Sequence, residues 1–282
     1  MASYSQVGRT EEYSGLKWAE IVGGVVVVIF AVVVLLVDYL GTTLNGYAVC
    51  YGTLASHACP SGYLINSNVL LAIGHFALAL HLIFAAWSSQ FYDQVYQHFR
   101  GFRWISHGIY MTFYIAAIGL LIPLPDYVTL FLVAILAGVG LGFAQSYNEA
   151  VNSTKEGDKK VISVLNSGKG SQWEGWLIGL AIVVTLVITF VLYYLNVTFS
   201  STIETPSAAK ENATVWIPIV AGSLYVVLHV VIAFITNWEW DTPVDAVGRE
   251  IFFFVWELVF ALFLQISIWV VLHESTAFVQ WS

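Results

Sequence analysis

Ile251-Phe-Phe-Phe-Val-Trp-Glu-Leu-Val-Phe-Ala-Leu-Phe-Leu-Gln-Ile-Ser-Ile-Trp-Val-Val-Leu272 contains one charged residue, Glu257, and no lysine. A helix needs about 20 mostly apolar residues to cross the hydrocarbon layer of a membrane, and this run is long enough. Six further runs of the same kind precede it, giving expected spans at about 21–40, 69–87, 104–122, 128–144, 176–195, 215–235 and 251–272. The composition agrees: 59% of the 282 residues are hydrophobic and 10% are charged, against about 25% charged in soluble domains. The expectation is an all-α membrane protein, a single domain built as a seven-helix bundle. The first run is too long and too far in for a cleaved leader, so it reads as a true helix.

The cations give an orientation. With seven spans, Arg9, Lys17, Arg100, Arg103, Lys155, Lys159, Lys160, Lys169 and Arg249 fall on one side and Lys210 alone on the other. Loops rich in Lys and Arg stay in the cytoplasm, so the N-terminus is expected inside and the C-terminus outside. The net charge of −8 adds little, because acidic residues scarcely affect topology.

Both cysteines, Cys50 and Cys59, fall in the first outside loop, 41–68, which reads as an ordered lid. Oxidising conditions there would let them pair; two free thiols is the alternative. Asn196-Val-Thr and Asn212-Ala-Thr are glycosylation acceptors on the same side, whereas Asn152-Ser-Thr falls inside. Glycans would place the protein in a plasma membrane or endomembrane of a eukaryote or of a virus with a eukaryotic host. No phosphate-binding glycine loop, nucleophile elbow or nucleic-acid-binding feature occurs, and the charged turn at 154–160 reads as a solvated loop. Gly138 and Gly142, four apart in the fourth span, permit close helix approach in lipid, either within the bundle or across a dimer.

Polar residues inside the spans are the candidate functional groups. A charge at the bilayer centre costs on the order of 2.5–3.5 kcal/mol on insertion scales. Glu257 shares a helical stripe with Glu250, Ala261 and Gln265, expected to face the bundle interior. His75 and His81 lie in the second span, His107 in the third and His229 in the sixth. The first two are six residues apart, roughly 240° around the helix, and cannot face one site. His107, Tyr110 and Tyr114 share a face, as do Tyr225 and His229. Three readings stay open for these groups. They form hydrogen bonds that only hold the fold, or Glu257 and histidines form a proton relay, or they bind a metal that activates water in a membrane hydrolase. No span offers a two-ligand metal spacing, so the third is the weakest and no metal is expected.

The chain resembles the heliorhodopsins, rhodopsin relatives with the N-terminus inside and the C-terminus outside. Phe102-Arg103-Trp104-Ile105 looks like the family's Arg-Trp motif. His81-Leu-Ile-Phe84 and Gly142-Phe-Ala-Gln145 are looser matches, and Glu250–Ala261 is similar in pattern to the family's seventh helix. The long first outside loop also fits. The resemblance implies the seven-helix rhodopsin-like fold and pairing as a homodimer, with Gly138 and Gly142 as the expected dimer face. It also places His81 in an inner polar network.

The departures fall on the chemistry. The position of the retinal lysine is Ala261, that of the serine one turn earlier is Glu257, and that of the glutamate counterion is Ser106, with His107 beside it. A buried cation and its buried anion are lost together, which avoids leaving either unpaired. A heliorhodopsin-like, non-enzymatic protein without covalent retinal is therefore expected. Its role would be structural or sensory through partners, in contact with membrane lipids, with a lipid or hydrophobic ligand as the candidate occupant of the vacated interior. A proton channel or transporter is the rival. No cation in the sequence is expected to replace the lysine, so Glu257 should be neutral or paired with a histidine, with His81 and His107 ahead of His229.

Overall fold

The computed structural model describes residues 14–40, 48–49, 65–96, 101–119 and 243–274, and, between 131 and 146, residues 131–132, 134–140, 142–143 and 146. Among the described residues, apart from one two-residue ladder, the regular structure is helical. Helix α1 spans Ser14–Tyr39, α2 Ser67–Trp87, α3 Ser89–Tyr96, α4 Gly101–Gly119 and α5 Pro243–Glu274, with a π-helical turn at Leu136–Gly140. Strands β1 (Ala48–Val49) and β2 (Ile65–Asn66) pair antiparallel, Ala48 opposite Asn66, and tie together the ends of the long loop after α1. Cys50 and Cys59 lie outside the described residues, as do Asn196, Asn212, His229 and the expected spans at 176–195 and 215–235.

Among the described residues, three helices are long and apolar enough to cross a membrane: Ser14–Tyr39, Ser67–Trp87 and Glu250–Trp269 within α5. This is an all-α membrane protein. The helices of the first and last expected spans start seven and eight residues before the apolar runs do. Hydropathy marks where the chain meets hydrocarbon, whereas backbone hydrogen bonding continues past that boundary. The outward faces are apolar as well, with Val25, Ile29, Leu36, Leu80, Phe84, Val255 and Val259 exposed. In water that surface would be a liability; in lipid it is the expected exterior.

Small residues set the helix contacts. A methyl group added at Gly24 would stand 2.7 Å from Ile83 of α2, and one at Gly23 would run into the Phe254 ring of α5. The adjacent pair lets α1 approach two neighbours closely, as lipid-embedded packing requires. Gly74 of α2 likewise leaves room for the Tyr114 ring of α4.

The fourth-span glycines do not form a free face. A methyl at Gly138 would meet Thr112, coming within 2.6 Å of its backbone nitrogen, and would stand 2.5 Å from the Gly108 carbonyl oxygen. One at Gly142 would stand 2.5 Å from the carbonyl oxygen of Trp104. From the other side, a methyl at Gly108 would come within 3.0 Å of Val139 Cα. The expected dimer face at Gly138 and Gly142 is thus corrected: α4 of the same chain occupies it. The physical reason is that a third glycine, Gly108, faces the pair and lets the two backbones touch.

The candidate functional site: a buried ion-pair cluster

Arg103 opens α4, and the positions i, i+4, i+7 and i+11 that follow on one face are Arg103, His107, Tyr110 and Tyr114. This face meets the α5 stripe that carries Glu250, Glu257, Ala261 and Gln265, all of them buried. Arg103 Nη1 donates to Glu250 Oε2 at 2.7 Å, and Nη2 donates to Glu257 Oε2 at 2.9 Å. One planar guanidinium therefore bridges two carboxylates two helical turns apart. The Phe253 ring, between them in sequence, lies under the guanidinium carbon at 5.0 Å.

Glu257 is held from its other oxygen too. The Tyr110 hydroxyl donates to Glu257 Oε1 at 2.6 Å, and His107 Nδ1 lies 2.6 Å from the same hydroxyl. A phenol has one proton to give, so its bond to the carboxylate leaves it accepting from His107. That fixes the proton of a neutral His107 on Nδ1. His107 Nδ1 is 3.8 Å from Glu257 Oε1, past hydrogen-bond length, so the imidazole reaches the carboxylate through Tyr110.

Two expectations are corrected here. Glu257 does have a cation, Arg103, which had been counted among loop residues because it precedes the apolar run. His81 does not pair with Glu257. Its ring stacks on Phe102 at 5.6 Å and meets the edge of Phe91 at 6.0 Å, and neither ring nitrogen has a hydrogen-bond partner. Two aromatic rings hold this imidazole in place, within electrostatic range of Glu257, Arg103 and Glu250 but hydrogen-bonded to none of them.

A third carboxyl group joins from α1. Glu20, 1% exposed, accepts a hydrogen bond from the Tyr92 hydroxyl of α3 at 3.2 Å, and Glu250, Arg103 and Glu257 are within electrostatic range of it. Burial, and then the negative charge of Glu20, push the Tyr92 phenol above its ordinary range, so it remains a donor. Glu20 sits one residue before the first expected span, outside the candidate intramembrane groups. Its signal was faint: a lone acid one turn ahead of Gly23 and Gly24, on the α1 face that packs inward.

Gln265 is drawn to a second polar group rather than to Glu257. His75 Nδ1 lies 2.7 Å from the Tyr114 hydroxyl, and Gln265 faces His75 without a hydrogen bond of good geometry, leaving His75 Nε2 and Gln265 Oε1 unsatisfied. The Tyr110 and Tyr114 rings, 5.8 Å apart, connect the two groups. Ala261, at the expected lysine position, is fully buried between them along α5, and Ser106, at the expected counterion position, is half-buried. Among the described residues no group of three or more His, Cys, Asp or Glu side chains is arranged to hold a metal ion.

Comparison with known proteins supplies no relative: no family model matches the chain, and no curated protein matches it.

Proposed function

We propose that this chain is a non-enzymatic, heliorhodopsin-like protein of seven membrane helices, N-terminus inside, that forms no retinal pigment and serves a structural or sensory role in a plasma membrane or endomembrane. The observation that carries the reading is the commitment of Glu257. At the level where a rhodopsin keeps its Schiff base, this carboxylate is bound by Arg103 and Tyr110 of the same chain, and the side chain one turn further is the methyl group of Ala261. A protonated Schiff base needs a lysine and an uncommitted anion, and this interior offers neither among its described residues. The same closed ion pair supports a role without turnover, because Arg103 and Tyr110 already occupy both oxygens of the Glu257 carboxylate.

The test is reconstitution of the full-length protein with all-trans retinal. The expected result is no red-shifted visible band and no adduct trapped by borohydride. A stable visible pigment overturns the reading.

A second reading, proton conduction, is favoured by the length of the polar column. From Glu250 to Gln265 the α5 stripe runs fifteen residues, about 22 Å of helix rise, against a hydrocarbon core of about 30 Å. Across it stand Tyr110, Tyr114 and His75. Proton current recorded across a pH gradient in wild type and lost in Glu257→Gln would establish this reading over the first.

A further inference from the structure

Glu20, Glu250 and Glu257 come from two helices into one dry site, and Arg103 is the cation that the described residues bring to them. Lys17, one turn before Glu20, does not join; its ammonium lies over the Trp87 ring at 4.8 Å. Three ionised carboxylates against one guanidinium would leave the site with an excess of two negative charges. Carboxylates crowded into a low-dielectric site do not all ionise; they hold a proton between them. Of the three, Glu250 and Glu257 each have an arm of Arg103, whereas Glu20 has a single hydrogen bond from a phenol, at the long distance of 3.2 Å.

A second observation comes from α2. His81, 3% exposed and beside Glu257, Arg103 and Glu250, keeps both ring nitrogens without a hydrogen-bond partner. A buried imidazole ordinarily has at least one partner, so this ring leaves hydrogen-bonding capacity, open to a proton or a small polar guest, near the charges.

We propose that the cluster is a proton-binding site, with Glu20 carrying the exchangeable proton, and that losing this proton loosens α1 from α5. The groups that face Glu20 are Tyr92 from α3, Arg103 from α4, and Glu250 and Glu257 from α5, with His81 of α2 beside the same charges. Ionised, Glu20 repels the two α5 carboxylates across the contact that Gly23 makes with Phe254, three residues further along α1. The proposal gives the sensory reading a stimulus, proton concentration. It rests on that reading in one respect: a Schiff-base cation beside Glu257 would supply the missing positive charge.

The experiment is infrared difference spectroscopy on the full-length protein in lipid nanodiscs, titrated from mildly acidic to mildly basic pH. The expected result is a protonated-carboxyl band that disappears over that range in wild type and is missing throughout in Glu20→Gln. The folded state then keeps a proton that the unfolded carboxylate has already released, so stability falls as pH rises. The fall is about tenfold in the folded-to-unfolded ratio per pH unit, until the folded site itself ionises. Glu20→Gln should be flat over the same range.

Carboxyls ionised throughout, or a titrating band that survives Glu20→Gln, would overturn the proposal. So would a titration that moves when sodium replaces choline at fixed ionic strength, since a metal ion would then be the guest. If Glu20→Gln does not fold, Tyr92→Phe decides. It removes only the donor that favours the ionised form, and the midpoint should move to higher pH; an unmoved midpoint overturns the proposal. The borohydride experiment is independent, so failure here leaves the absence of a pigment untouched.

Discussion

Arg103 and Glu257, separated by 154 positions in the chain, form a buried ion pair in which each partner has a further tie: Arg103 to Glu250 and Glu257 to Tyr110. Removing one partner from such a pair leaves an uncompensated charge in a medium that solvates it poorly, which costs about 3–5 kcal/mol. The two ends are unequal. Arg103→Gln strands two carboxylates, whereas Glu257→Gln leaves the arginine on Glu250 and keeps an oxygen for Tyr110.

Arg103→Gln is therefore expected to be the more damaging change, at about 3–5 kcal/mol, and Glu257→Gln to cost roughly 1.5–3 kcal/mol as the loss of a charge-assisted hydrogen bond. Thermal unfolding in detergent, followed by tryptophan fluorescence, measures both. Equal losses would mean that Glu250 does not retain the guanidinium.

Tyr110 is the hydrogen-bonded link between His107 and Glu257. Tyr110→Phe keeps the ring in its place against Tyr114 and His107 but leaves Glu257 Oε1 and His107 Nδ1 each short of a partner. Buried groups left unsatisfied cost roughly 1–3 kcal/mol apiece. Nitrogen NMR of labelled histidine should also show His107 losing its fixed Nδ1–H tautomer, a signature that simple destabilisation would not produce. An unaltered tautomer would show that another neighbour sets it.

The glycine crossing predicts a folding defect rather than a dissociation. With Gly108, Gly138 and Gly142 facing one another, Gly138→Leu drives a side chain into the backbone of α4. Overpacking of this kind costs about 1–3 kcal/mol in cores that can adjust, and more where the obstacle is backbone. Expression and thermal stability should drop for Gly138→Leu and Gly142→Leu, while the mass of the surviving protein–detergent particle stays that of wild type. Normal stability with a reduced particle mass would return the glycines to a dimer interface.

The parts legible in the sequence are those governed by one-dimensional patterns. Apolar runs mark α1, α2 and α5, and the seven-residue spacing of Glu250 and Glu257 puts both on the inward stripe. Partner choice was not legible. Arg103 looked like a topology-setting cation because hydropathy says nothing of a side chain long enough to reach back along its own helix into the bundle. Glu20 was hidden by its neighbours Lys17 and Trp18, which make that turn resemble a membrane border. The roles of His81 and Gln265 depend on which ring or amide lies opposite, a matter of helix rotation that spacing on one helix cannot fix. The glycine pair showed that a close approach exists, and only the facing Gly108 shows with what.

The end of the bundle that holds the β ladder has its own tie. Asp38, near the end of α1, accepts from Asn66 Nδ2 at 2.8 Å and from Asn68 Nδ2 at 3.2 Å. The Asn66 side-chain oxygen meanwhile caps α2 by accepting from the Asn68 backbone nitrogen at 2.8 Å. Asn66 thus binds α1 with its amide nitrogen and starts α2 with its oxygen. Asn66→Asp keeps the cap but sets two carboxylates against each other, whereas Asn66→Ala loses both functions, the cap alone being worth about 1 kcal/mol. Both should destabilise, and added salt should recover part of the loss in Asn66→Asp by screening the like charges, while Asn66→Ala should not recover. Thermal melts of the two variants at low and high ionic strength make the comparison, and parallel behaviour would rule out the Asp38 contact as the cause.

Gly74 and Tyr114 separate the steric from the polar contribution at the second polar group. A methyl at Gly74 would stand 2.5 Å from the Tyr114 ring carbons, so Gly74→Ala must push the ring, and with it the hydroxyl, away from His75 Nδ1. Tyr114→Phe leaves the ring seated and deletes only the hydroxyl. If the 2.7 Å bond to His75 is what matters, both changes strip a buried imidazole of its partner and cost a similar amount, roughly 1–3 kcal/mol. If packing matters, Gly74→Ala is the worse by the overpacking penalty, about 1–3 kcal/mol more. The geometry favours the second outcome, because the ring lies against α2 backbone-to-side-chain with no space to retreat: Tyr110 packs on it at 5.8 Å from the same helix and His75 at 5.3 Å from the other. The double variant Gly74→Ala/Tyr114→Leu, which trades the ring for a smaller flexible side chain, should then recover part of the loss of Gly74→Ala. Additive losses in unfolding free energy across that cycle would show that the glycine is not there for the ring.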